Sequence, residues 1–78
     1  MTAAVPTGPI DREPLPTRGE PLPSAAEQEA TLREVLAAAG VEPGAYDDRI
    51  IEWLARWEWS TVATIASWVQ RAAEQPTD

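Results

Sequence analysis

The chain has 78 residues, thirteen acids against six arginines, and no lysine, histidine or cysteine, so its net charge is −7. That length admits one domain at most, and that charge repels phosphates and anionic lipid heads. The missing residue types remove disulfides, thiolate metal sites and the commonest general base and nucleophiles.

Residues 1–23 hold six of the eight prolines. Proline removes an amide donor and pushes the preceding residue out of the helical region. Few apolar groups are present to offset ordering entropy. The segment is therefore expected to be a disordered tail with local polyproline II character, and to contribute nothing to folding. Within it Glu13-Pro14-Leu15-Pro16 recurs as Glu20-Pro21-Leu22-Pro23. Pro14, Leu15, Pro16, Pro21, Leu22 and Pro23 fit a repeated docking motif for an aromatic groove. A compositionally biased spacer produces the same four-letter match, and both origins stay open. The segment has no basic start followed by an apolar run, and no stretch nears the ~18 apolar residues of a membrane span. A cytoplasmic protein is expected, with no membrane partner.

The remaining residues predict an all-α fold, a compact three-helix unit over residues 24–75 with residues 76–78 as a C-terminal end. The first helix begins at Ser24, since Ser24 and Glu27 have the spacing of a capping box. Leu32, Val35, Leu36 and Ala39 form a narrow apolar stripe. Glu29 and Arg33 are spaced for an i,i+4 ion pair. Gly40 is the expected C′ residue, with Val41 placed to touch Leu36 in a Schellman ending.

After Pro43-Gly44 the second helix is expected from Ala45 to Trp57, with Asp47 and Asp48 favoured by the dipole in its opening turns. Tyr46, Ile50, Trp53, Leu54 and Trp57 share one face, with Trp53 and Trp57 expected in the core. Ile51 and Ala55 widen the apolar arc to about 200°, too broad for one neighbour. Glu58-Trp59-Ser60 is the expected second turn. Ser60 or Thr61 is expected to cap a third helix that runs to Gln75 with Val62, Ile65, Ala66, Val69, Ala72 and Ala73 inward. Ser60, Thr64, Ser67 and Arg71 mark its expected wet side. The junction Trp57–Ser60 contains no glycine or proline, so a helical hairpin with the second and third helices fused is the alternative.

The segment Tyr46-Asp47-Asp48-Arg49-Ile50-Ile51-Glu52-Trp53-Leu54-Ala55-Arg56-Trp57-Glu58, followed by Thr61-Val62-Ala63-Thr64-Ile65-Ala66, resembles small uncharacterised helical proteins encoded by actinobacteria and their phages. The resemblance covers about residues 40–73. It implies no activity and transfers no functional residue.

Chemistry is narrowed mainly by elimination. Asp48 and Glu52, with Glu42 near in sequence, are the available carboxylates, but three short helices offer little cleft to shift a carboxylate pair. Divalent metals want several converging oxygens, and the glycines match no phosphate loop. No catalytic residue, metal or cofactor is expected, and the chain is not expected to be an enzyme. A helix-turn-helix over Leu32–Ile50 would present Asp47 and Asp48 where phosphate contacts belong. Nucleic acid is therefore not an expected partner. The expected function is non-catalytic protein interaction or assembly through helix–helix docking. The alternative is an acidic regulator of a basic or DNA-binding protein, with direct helix-turn-helix DNA binding ranked behind it and an enzyme as the third class. Trp59, in the turn, and Trp68, at the border of the third stripe, are candidate partner-binding residues together with Ile65, Ile51 and Trp53. The partner is expected to be a second copy in a homodimer, or another protein.

Overall fold

Helix formation begins where a serine takes up the first unfilled backbone donors. In the computed structural model, which describes residues 5–14 and 22–74, α1 spans Ala25–Ala38. Ser24 Oγ accepts from the Glu27 amide at 3.1 Å, and Glu27 Oε1 accepts from the Ser24 amide at 3.2 Å. The reciprocal capping box is thus complete, as the spacing predicts. At the other end Gly40 has φ +82°, in the left-handed region. The Gly40 amide donates to the Ala37 carbonyl at 3.0 Å, and the Val41 amide donates to the Leu36 carbonyl at 2.9 Å. Those bonds make a Schellman ending with Gly40 at C′.

The second helix, α2, spans Ala45–Leu54. The Gly44 amide donates to Asp47 Oδ2 at 2.9 Å, so an acid in the first turn reaches back to the residue before the helix. The helix stops short of the expected Trp57. The Arg56 and Trp57 amides donate instead to the Trp53 and Leu54 carbonyls, at 3.2 and 3.0 Å, and tighten the final turn. The third helix, α3, spans Trp59–Glu74. Its opening bonds run from the Thr61 and Val62 amides to the Glu58 carbonyl. Ser60 and Thr61 therefore lie inside the first turn and do not cap it. Gln75, the expected last residue, lies outside the described residues. The fused-helix alternative does not form.

A residue on α1 holds the break between α2 and α3. Gln28 is 4% exposed, and its Nε2 donates to the carbonyls of Ala55 and Trp57, both at 2.7 Å. Helix ends leave carbonyls without intrahelical donors, and burying them unpaired is costly. A single amide group satisfies two of them. A second tie between α1 and α2 runs through Arg33. Its Nε donates to Glu29 Oε2 at 3.0 Å, the expected pair, and its Nη1 donates to Asp48 Oδ1 at 2.9 Å. Those hydrogen bonds, to Asp48 first and then Glu29, raise the guanidinium pKa above its ordinary value.

The core is built from Leu32 and Val35 of α1, Ile51 of α2, Ala55 in the turn that follows, and Val62 and Ala66 of α3. Helix α1 packs most extensively on α3 and less on α2, while α2 and α3 barely meet. The buried face of α3 is turned from the expected one. Val62 and Ala66 are interior as expected, but so are Ala63 and Ser67, while Ile65 and Val69 are half-buried and Ala72 and Ala73 exposed. Ser67 was expected on the wet side, yet it is fully buried, its Oγ accepting from Arg71 Nε at 3.1 Å. Ala63, Ala66 and Ser67 share one α3 face, and small side chains there let a neighbouring helix approach closely.

Residues 5–14 form no helix or strand, as their prolines predict. Val5 nevertheless packs against the core cluster, so this stretch shares in burial instead of contributing nothing. Residues 1–4 and 15–21 lie outside the described residues. Of the repeated motif, Glu13, Pro14, Leu22 and Pro23 are described; Leu15, Pro16, Glu20 and Pro21 are not.

Candidate docking surface

The broad apolar arc of α2 divides into two halves. Ile51 and the following Ala55 turn into the core. Tyr46, Ile50, Trp53 and Trp57 stay exposed. Their spacing of four, three and four residues places them along one line, the stripe a helix presents to another helix. Trp53 and Trp57 were expected in the core. Instead Trp53 is 57% exposed, and the two indoles meet edge to face, with centroids 5.5 Å apart and planes at 75°. Such a pair favours one ring arrangement before any partner arrives.

Beside this ridge runs a groove, which exists because α2 and α3 barely meet. It encloses about 260 Å³. Helix α1 contributes Leu36 to it, α2 contributes Tyr46, Ile50 and Leu54, and α3 contributes Ile65 and Val69. Among the described residues, Asp47 is the one charged residue in its lining. Ridge and groove together form an apolar surface on a domain that is otherwise strongly acidic. Contiguous exposed apolar surface of this kind marks interaction sites in folded proteins.

The residues singled out from the sequence separate cleanly. Trp53 is part of the ridge, and Ile65 walls the groove. Trp68 is 59% exposed but sits on another side of α3, where it borders a depression shared with Ile10, Thr61 and Thr64. Ile51 and Trp59 are interior; Trp59 is only 5% exposed. Trp59 lines a larger cavity, about 410 Å³, with Pro14, Leu22, Pro23 and Gln28. That cavity lies where the N-terminal segment meets the α2–α3 turn, so it is a seam within the fold. Sequence reasoning missed Tyr46, Ile50 and Trp57 as surface residues. Their signal was present in the excessive width of the apolar arc, which showed that one side needed a second cover.

Among the described residues the three acids singled out from the sequence do not converge. Asp48 is held by Arg33, while Glu42 and Glu52 are exposed. Among the described residues no three His, Cys, Asp or Glu side chains converge as metal ligands. No described helix is long and apolar enough to cross a membrane. Neither a protein-family model, nor a curated protein, nor a solved structure matches the chain.

Proposed function

We propose that this protein is a non-catalytic docking module that receives a helix of another polypeptide on the α2 ridge and in the adjoining groove. What carries the reading is the pairing of an exposed aromatic line, Tyr46–Ile50–Trp53–Trp57, with an apolar groove that no element among the described residues fills. A fourth helix lying there would complete a four-helix packing around Leu36, Leu54 and Ile65. Tryptophan and tyrosine at the centre of a contact carry a disproportionate share of binding energy. A second copy of the chain is one occupant of this surface, and a separate protein is the other. The negative charge favours the role of an acidic regulator of a basic protein. No catalytic role, cofactor or nucleic-acid contact is proposed, and the cytoplasm is the proposed setting. The kinship with small helical proteins of actinobacteria and their phages is likewise a proposal, and brings no activity with it.

The test compares the wild-type chain with a double variant, Ile50→Asp with Trp53→Asp, whose changes lie on the exposed line. Sedimentation over a wide concentration range reads self-association, and capture from a native lysate reads other partners. Association or capture by the wild type that disappears in the variant supports the reading. A wild-type monomer that captures the same proteins as the variant ends it.

A further inference from the structure

We infer that the occupant of this surface is a cationic amphipathic helix from another protein; the inference rests on the docking reading above. It is drawn from where charge falls around the ridge. Residues 41–58 hold Glu42, Asp47, Asp48, Glu52 and Glu58 against Arg49 and Arg56, five acids against two bases, a net of −3. Asp48 is engaged by Arg33 of α1. Glu42 and Asp47 stand at the Tyr46 end of the line, and Glu58 follows Trp57 at the other; all three are exposed. Arg49 and Glu52 on α2, and Arg56 in the turn after it, are also exposed. The α3 residues in the groove lining, Ile65 and Val69, carry no charge. The apolar track is thus bracketed by acids at both ends.

The α2 part of the line, from Tyr46 to Trp53, is roughly 10 Å long at helical rise, and Trp57 continues it in the turn beyond the helix. A matching helix presents apolar side chains at i, i+3 or i+4, and i+7 over about three turns, with lysine or arginine at each end. Its terminal cations meet Glu42 and Asp47 on one side and Glu58 on the other, and the exposed indole faces attract cations as well. A second copy fits poorly. Its own residues 41–58 have acids at both ends and a net charge of −3, so either orientation sets acid against acid. The three ridge aromatics, at ~150–250 Å² each and roughly half exposed, give with Ile50 and Val41 on the order of 500 Å². That falls below the about 600 Å² per partner at the lower end of stable specific contacts, so the complex is weak and salt-sensitive.

The experiment titrates the full chain, by calorimetry and tryptophan fluorescence, with three synthetic peptides. One carries leucines at i, i+4, i+7 and i+11 and paired lysines at each end. The second has glutamate in place of lysine, and the third scrambles the first. The lysine peptide is expected to bind at least about tenfold more tightly than the glutamate peptide at low salt, a gap that closes as salt screens it. Joint Glu42→Gln and Glu58→Gln substitution narrows the same gap. Trp53→Ala weakens lysine-peptide binding about tenfold, as loss of a central aromatic anchor does, with helicity unchanged. Equal affinity for the lysine and glutamate peptides overturns the cationic assignment and leaves docking standing. Equal affinity for the scrambled peptide reveals mere charge attraction and overturns it too. Self-association abolished by Trp53→Ala, without peptide binding, makes the second copy the occupant. A monomer that binds no peptide removes both this inference and the docking reading.

Discussion

Replacing Gln28 with methionine keeps the length and volume of the side chain and removes its donor. The Ala55 carbonyl is then left without its partner in a buried bond, and the Trp57 carbonyl without its partner in a partly buried one. An orphaned buried acceptor costs about 1–3 kcal/mol, and a carbonyl that water can reach costs nearer 0.5–1 kcal/mol. The thioether recovers part of this through its apolar transfer. The expected net loss is about 2 kcal/mol, which is large against the roughly 3–8 kcal/mol available to some 50 folded residues. Urea unfolding followed by circular dichroism reads it directly. With a slope of about 1 kcal/mol per molar, the midpoint falls by about 2 M. Gln28→Glu adds a pH signature. A carboxylate facing two carbonyl oxygens is disfavoured, so the folded-state pKa lies above the unfolded value of about 4.3. Between those two values the folded state binds more protons, so the variant loses stability as pH rises, through a step the wild type lacks. If Gln28→Met unfolds within about 0.5 kcal/mol of the wild type, the range typical of surface changes, the two carbonyls do not depend on this amide. The account of the α2–α3 break then fails.

Gly40→Ala should lower stability by about 1 kcal/mol in the same assay, because alanine pays to enter the left-handed region that Gly40 occupies; an unchanged midpoint would contradict the Schellman ending. Trp59→Ala should cost about 3–5 kcal/mol, as a buried aromatic does, whereas Trp53→Ala should cost under about 1.5 kcal/mol, mainly the edge-to-face pair with Trp57. Equal losses at the two positions would refute the division between interior and ridge. Val5→Ala should lower the thermal midpoint by an amount equivalent to about 0.5–1 kcal/mol, since half-buried methyl groups leave the core edge; no change would return residues 5–14 to the passive role their composition suggests.

The surface was partly legible before any fold was known. An apolar arc of about 200° on the second helix demands two covers, and the sequence shows that much. Which part of the arc the protein itself covers depends on the angle at which α1 and α3 meet α2. No local pattern contains that angle. Trp53 and Trp57 have the composition of core residues and the position of surface ones, because a 3.6-residue period ranks faces by hydrophobicity without saying which lies inward. The same degeneracy turned α3. Ser67 looks like a solvent residue, yet a small hydroxyl bonded to Arg71 can be buried at little cost where a neighbouring helix comes close.

What the sequence by itself determined are the features whose partners lie within four or five residues. Ser24 finds Glu27, Glu29 finds Arg33, and Gly40 lets Val41 reach the Leu36 carbonyl. Such contacts close small rings at low entropic cost, so they leave a signature in spacing alone. The tertiary structure alone decided where α2 stops, since the Ala55 and Trp57 carbonyls take their donor from Gln28, 27 and 29 residues away. It also decided that Asp48 pairs with Arg33 across two helices, and that α2 and α3 stand apart far enough to leave a groove. The physical reason is common to all three. A buried acceptor, a salt bridge between helices and an unfilled gap are properties of distance in space, and residues far apart in the chain acquire that distance only when the core forms.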